Sequence, residues 1–138
     1  MMLSSTRDWP ADIVAEFETN ANNGCVGNIL VSETETLRVW HLRLAPGTRS
    51  NVHRHVNDYF WSSMTAGRAR SYFEDGRVVE GDYHPGQTRH FTYAEGESMC
   101  HCVQNIGDTE LLFATVEFLN GPNAALPVPN SVRMNAEG

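Results

Sequence analysis

The stretch Gly47-Thr48-Arg49-Ser50-Asn51-Val52-His53-Arg54-His55-Val56-Asn57-Asp58-Tyr59-Phe60-Trp61-Ser62-Ser63-Met64-Thr65-Ala66-Gly67 sets a His-x-His pair between two glycines. Side chains alternate along an extended strand, so His53 and His55 project from one face, roughly 6–7 Å apart, and a metal ion between them is within reach of both rings. Arg54 then points the other way. Outward from this stretch, and from Val26 onward, runs of β-branched and aromatic residues are interrupted about every ten residues by glycine or proline, the pattern of an all-β sandwich or barrel.

Strands are expected at 28–32, 36–44, 50–55, 59–65, 68–74, 77–80, 88–92, 98–104 and 110–119. The reversals between them fall at Ala45-Pro46-Gly47, Glu74-Asp75-Gly76, His84-Pro85-Gly86, Ala94-Glu95-Gly96 and Ile106-Gly107-Asp108, with Glu74-Asp75-Gly76-Arg77 the strongest hairpin signal. One short helix is expected within 8–17, with Asp8 as its cap and Ile13, Val14 and Phe17 on one face. Beyond Leu119, Gly121-Pro122 and the prolines at 127 and 129 cannot continue a central strand and predict an extended tail, suited to packing on a neighbouring molecule. The expected division is an N-terminal segment at 1–25, a barrel at 26–120 and the tail at 121–138.

Composition narrows the function. A chain of 138 residues with 41 % apolar content supports one domain and one core. A net charge of −7 with no cation cluster argues against a nucleic-acid partner. All ten cations are arginines, so neither Schiff-base nor lysine-base chemistry is available. Cys25, Cys100 and Cys102 are spaced for neither a zinc ribbon nor a disulfide framework, which predicts a reducing, cytoplasmic setting. The longest apolar run, Leu111 to Ala114, is far too short to span a membrane.

A glycine six residues before His53, the His-x-His pair and a glycine twelve residues after His55 resemble the first motif of the cupins. The second cupin motif, a proline and glycine turn followed by histidine and then asparagine, has a counterpart in Gly86, Gly96, His101 and Asn105. The resemblance spans Leu37 to Phe118 and implies a double-stranded β-helix, or RmlC-like jelly-roll, barrel in which the two motifs face each other. It extends to small single-domain bacterial cupins, some of them labelled β-alanine degradation proteins. Two departures stand out. Counting back from Gly67, the position of the usual glutamate ligand holds Phe60, or Tyr59 if the register shifts by one. His101 follows Gly96 by five residues rather than three, and no proline precedes that glycine.

Carried over, the resemblance makes His53, His55 and His101 the metal ligands, with no fourth protein ligand. Three imidazoles suit a divalent ion, Fe(II) first and Mn(II), Ni(II) or Zn(II) as alternatives. Cysteine dioxygenase and the diketone-cleaving dioxygenase are similar in having three histidines and no glutamate. The implied function is a non-haem iron dioxygenase acting on a small chelating substrate. The alternatives are an isomerase, lyase or hydrolase using the metal as a Lewis acid, and a metal-free binding or sensing module. His90 is the rival third ligand or a hydrogen-bond partner. Phe60 and Met64, sharing one strand face, and Tyr59 are pocket-wall candidates, and Arg68 and Arg70 are a candidate carboxylate clamp. Cys100 and Cys102, flanking His101, turn away from the face that it shares with a metal. His41 and His84 are expected at the surface, and the assembly is expected to be a homodimer.

Overall fold

Where apolar and polar residues alternate along this chain, strands form, and each of the nine expected segments becomes one. The computed structural model describes residues 8–134. It contains β1 (Ile29–Glu33), β2 (Leu37–Leu44), β3 (His53–His55), β4 (Tyr59–Ser63), β5 (Gly67–Phe73), β6 (Val78–Tyr83), β7 (Thr88–Phe91), β8 (Met99–Asn105) and β9 (Leu111–Phe118). They form two antiparallel sheets, ordered β1-β2-β9-β4-β7 and β3-β8-β5-β6. The inner faces meet around Leu42, Leu44, Ala69, Val103, Leu111 and Phe113, all buried. Period-2 alternation places these side chains together from both sheets.

The two glycines that frame the His-x-His stretch are there for different reasons. Gly47 adopts φ +83° in the turn where the Thr48 N–H donates to the Ala45 carbonyl at 3.0 Å. Gly67 makes room instead: a Cβ there would lie 2.5 Å from Leu111 Cδ2. Asn105, fully buried, donates through Nδ2 to the Leu44 and Thr109 carbonyls and accepts from the Gly107 N–H, so it secures the turn after β8.

Helix α1 (Ala11–Thr19) is capped by Pro10 with no side-chain hydrogen bond, not by Asp8 as expected. Pro10 has φ −54°, in the range a proline ring imposes. Ile13 and Phe17, four residues apart, are buried against Val52, Tyr72, Cys100 and Cys102 on the outer face of the four-stranded sheet, and Val14 is only half-buried. The helix also shortens β3. Glu16 takes the Val52 N–H, so the expected strand at 50–55 bonds to β8 through the Ser50 N–H, breaks at Val52 and continues as a regular ladder from His53.

After β9 the chain crosses to β1. Val128 and Val132 pack on Val26, Leu30 and Trp40, the Met134 N–H donates to the Leu30 carbonyl at 2.9 Å, and Arg133 pairs with Glu33 at 2.7 Å. A 3-10 turn, Asn130–Val132, interrupts this tail. The described tail is therefore seated on its own chain. Residues 1–7 of the expected N-terminal segment and 135–138 of the expected tail lie outside the described residues. No described helix is long and apolar enough to cross a membrane.

Candidate metal centre

Strand pairing brings the two histidine motifs together. β3 runs antiparallel to β8 with His53 opposite His101 and His55 opposite Met99, so three imidazoles share the inner face. Their ring centroids lie 4.7–5.1 Å apart, and one nitrogen from each falls within 4.8 Å of the others. Cys100 and Cys102 point oppositely, into the α1 interface, as alternation predicts. His53 is held from outside the barrel: its Nδ1–H donates to the Asn51 carbonyl at 2.8 Å, which leaves Nε2 with its lone pair. Glu16 of α1 secures the preceding turn by accepting from the Val52 N–H and from Arg49 at 3.0 Å.

Burial keeps all three rings neutral. It pushes His53 down to about 4, and burial followed by repulsion from neighbouring histidines holds His55 and His101 well below the usual imidazole range. Neutral rings leave the cluster's hydrogen bonding incomplete. His55 Nε2 and His101 Nε2 face each other at 3.2 Å, and the Nδ1 atoms of both are buried with no partner. One Nε2–H can donate to the other Nε2, but the second ring then carries a buried Nδ1–H without an acceptor. A cation between the facing nitrogens would take both lone pairs at once, each ring then carrying its proton on Nδ1. The separation of 3.2 Å suits two nitrogens each about 2.0–2.1 Å from a shared ion. Among the described residues the cluster is three histidines with no carboxylate, the donor set of a divalent ion such as those in cupins.

The cluster opens into a cavity of about 470 Å³ with aromatic walls that include Tyr59, Trp61, Phe73, Phe91 and Tyr93. Tyr59 stacks on His55 with centroids 3.9 Å apart and planes at 12°, and Phe91 stacks on the other side of Tyr59 at 4.7 Å. Of the expected wall residues, only Tyr59 lines this cavity. Phe60 does not: it lies on the outer face against His90 at 5.2 Å and Phe118 at 6.1 Å, because Asp58 sets the register of β4 by accepting the Phe118 and Tyr93 N–H groups. His90 is exposed there and is neither a ligand nor a partner of the cluster. Met64 lies beyond the end of β4, 47 % exposed. Arg68 and Arg70 stand opposite Asp82 and Glu80 of β6 and form cross-strand ion pairs of 2.7–3.3 Å outside the pocket, so they clamp nothing within it. His84 is exposed as expected, and His41 is half-buried.

Sequence reasoning missed Arg89 and Phe91, which take the inner face of β7 that His90 vacates. The signal was present, since inner and outer residues of 88–92 must alternate, but the choice between the two phases required the pairing partner. It also missed Glu117, which is buried opposite Tyr59 and accepts from the Trp40 indole at 2.7 Å.

No protein-family model matches the chain. Among characterised proteins, oxalate decarboxylase of Bacillus subtilis is 32 % identical over 73 residues, which is 51 % of this chain. The chain spans only 18 % of that enzyme's length. Among solved structures, a cupin domain from Bordetella pertussis superimposes with a TM-score of 0.56 at 29 % identity, covering 63 % of this chain and 85 % of that one. A double-stranded β-helix protein from Klebsiella pneumoniae, 22 % identical, covers 72 % of this chain and 75 % of its own with a TM-score of 0.54, and shares the fold. With two antiparallel sheets closed around an inward-facing histidine cluster, and with these likenesses in fold and sequence, the chain belongs to the cupin superfamily.

Proposed function

We propose that His53, His55 and His101 hold one divalent metal ion, Fe(II) first and Mn(II), Ni(II) or Zn(II) as alternatives, in an enzyme acting on a small chelating molecule by non-haem iron dioxygenase-type chemistry. The observation that carries this reading is the convergence of three neutral imidazoles, within 4.8 Å, on a cavity large enough for a small molecule. Bound there, the ion supplies Lewis acidity and, if it is iron, one-electron redox chemistry. Three uncharged ligands do not neutralise it, which favours a chelating substrate over water. The chain's own residues orient and enclose: the Asn51 carbonyl holds the His53 tautomer, Tyr59 holds the plane of His55, and the aromatic walls exclude water.

A second reading, a lyase in which the metal acts only as a Lewis acid, draws on the 73-residue likeness to an enzyme named for decarboxylation. A small-molecule substrate, a homodimeric assembly and no nucleic-acid partner complete the proposal, the last supported by the net charge of −7. Cytoplasmic location is proposed from the three free cysteines. The test is elemental analysis of protein purified without an affinity tag, alongside single alanine variants. The wild type and His41→Ala should carry equal metal, whereas His53→Ala, His55→Ala and His101→Ala should lose most of it. Wild-type protein that takes up no divalent ion on reconstitution would leave the binding or sensing module as the reading. Oxygen consumption with candidate substrates then separates dioxygenase from lyase.

A further inference from the structure

Among the described residues every cation but one is neutralised, and the exception lies in the cavity. Each of the other described arginines has a carboxylate oxygen at 2.6–3.4 Å. Arg89 has none among the described residues, although the chain carries 17 acidic side chains against 10 basic ones. Arg89 stands opposite Trp61 on the inner face of β7 and lines the same cavity as the three histidines. The acidic residues of that cavity are already engaged, Glu74 by Arg54 and Asp75 by Arg77, each at 2.8 Å. The pocket therefore holds an unpaired positive charge before any metal is added.

A continuous row of flat groups leads to that charge. Tyr59 stacks on His55, Phe91 stacks on Tyr59, and the Arg89 guanidinium carbon lies 5.0 Å from the centre of the Phe91 ring. A guanidinium resting on an aromatic face is held in place while its in-plane N–H groups stay free to donate. Such a fork matches the two oxygens of a carboxylate. A phosphate dianion calls for more than one cation, and Arg77 is occupied by Asp75. Arg68 and Arg70, paired with Glu80 and Asp82, leave Arg89 as the clamp.

We propose that Arg89 is the anion-recognition residue of this pocket, and that the substrate is a small monocarboxylate whose flat, unsaturated body lies along the Tyr59–Phe91 wall with its far end at the histidine cluster. This deepens the reading of the cavity as a substrate pocket and rests on it, but the anion site is formed without the metal and is testable in its absence.

The experiment is calorimetric titration of metal-free and Mn(II)-loaded full-length protein with benzoate, its neutral analogue benzamide, and phenyl phosphate. Metal-free wild type should bind benzoate at least about tenfold more tightly than benzamide, as a charge-assisted bidentate pair provides. Arg89→Gln should abolish that preference while leaving metal content unchanged, because among the described residues the Arg89 side chain makes no ion pair or hydrogen bond that the fold depends on. Arg89→Lys should recover only part of it. His53→Ala, lacking metal, should keep the benzoate preference, which separates a failure of the metal reading from a failure of this one. Equal benzoate affinity in wild type and Arg89→Gln, no benzoate binding to the wild type, or tighter binding of phenyl phosphate would each overturn the proposal.

Discussion

Tyr59 and Phe60 show how much depends on one step of register. Both are aromatic and adjacent, yet one stacks on a candidate ligand and the other lies outside the barrel. Counting from Gly67 selects Phe60, whereas the hydrogen bonds at Asp58 select Tyr59. Opposite Tyr59, Glu117 is a buried carboxyl with one donor, the Trp40 indole. Burial pushes it up to about 7 from an ordinary 4.5. Between these values the folded chain keeps a proton that the unfolded chain has lost, so the stability from this group is full below about 4.5 and falls as pH rises through about 7. Glu117→Gln keeps an acceptor for Trp40 and removes the titration. Without metal it should be more stable than the wild type at alkaline pH by about 1–3 kcal/mol, the difference vanishing in acid. Denaturant unfolding across pH measures this, and a pH-independent difference would mean that Glu117 is ionised in the folded protein.

Among the elements, α1 connects the sequence before the barrel to the site within it. It buries Ile13 and Phe17 on Val52, on Tyr72 of β5 and on the back of β8, the strand that carries His101, and its Glu16 anchors Val52 and Arg49 just ahead of β3. Ile13 is 3 % exposed, so Ile13→Ala should lower stability by about 2–4 kcal/mol through lost burial and the cavity left behind. Denaturant titration checks this, and an unchanged midpoint would show that the helix is undocked in solution. The helix face was legible from the spacing of Ile13 and Phe17. Its consequence for β3 was not, because Glu16 reaches Val52 across 36 positions of sequence.

For the molecule as a whole, the three-residue β3 is an edge strand of the four-stranded sheet, and the candidate ion joins it to β8. A ligand that binds only the folded state stabilises by mass action, about 2.7 kcal/mol at a free concentration a hundredfold above its dissociation constant. Chelation should therefore lower the thermal midpoint by about 5–10 °C in a domain of this size. His53→Ala should melt at the same temperature with and without chelator. A wild-type midpoint indifferent to chelator and to added Fe(II) or Mn(II) would remove the ion from the account of stability.

By itself the sequence determined the nine strands, the turn positions, the outward turn of Cys100 and Cys102, and the pairing of His53 with His55 on one face. Each follows from local chemistry: period-2 alternation, glycine and proline at reversals, and β-branched or aromatic runs. The resemblance to cupins added His101, which no local rule ties to β3. Only the tertiary structure decided which of Tyr59 and Phe60, and which of Arg89 and His90, face the cavity. An alternating strand has two phases that differ by one residue, and the choice between them is made by partner strands distant in sequence. The same holds for charge: Arg68, Arg70 and Arg89 are alike as residues, and only the carboxylates that the fold sets beside two of them leave the third unpaired.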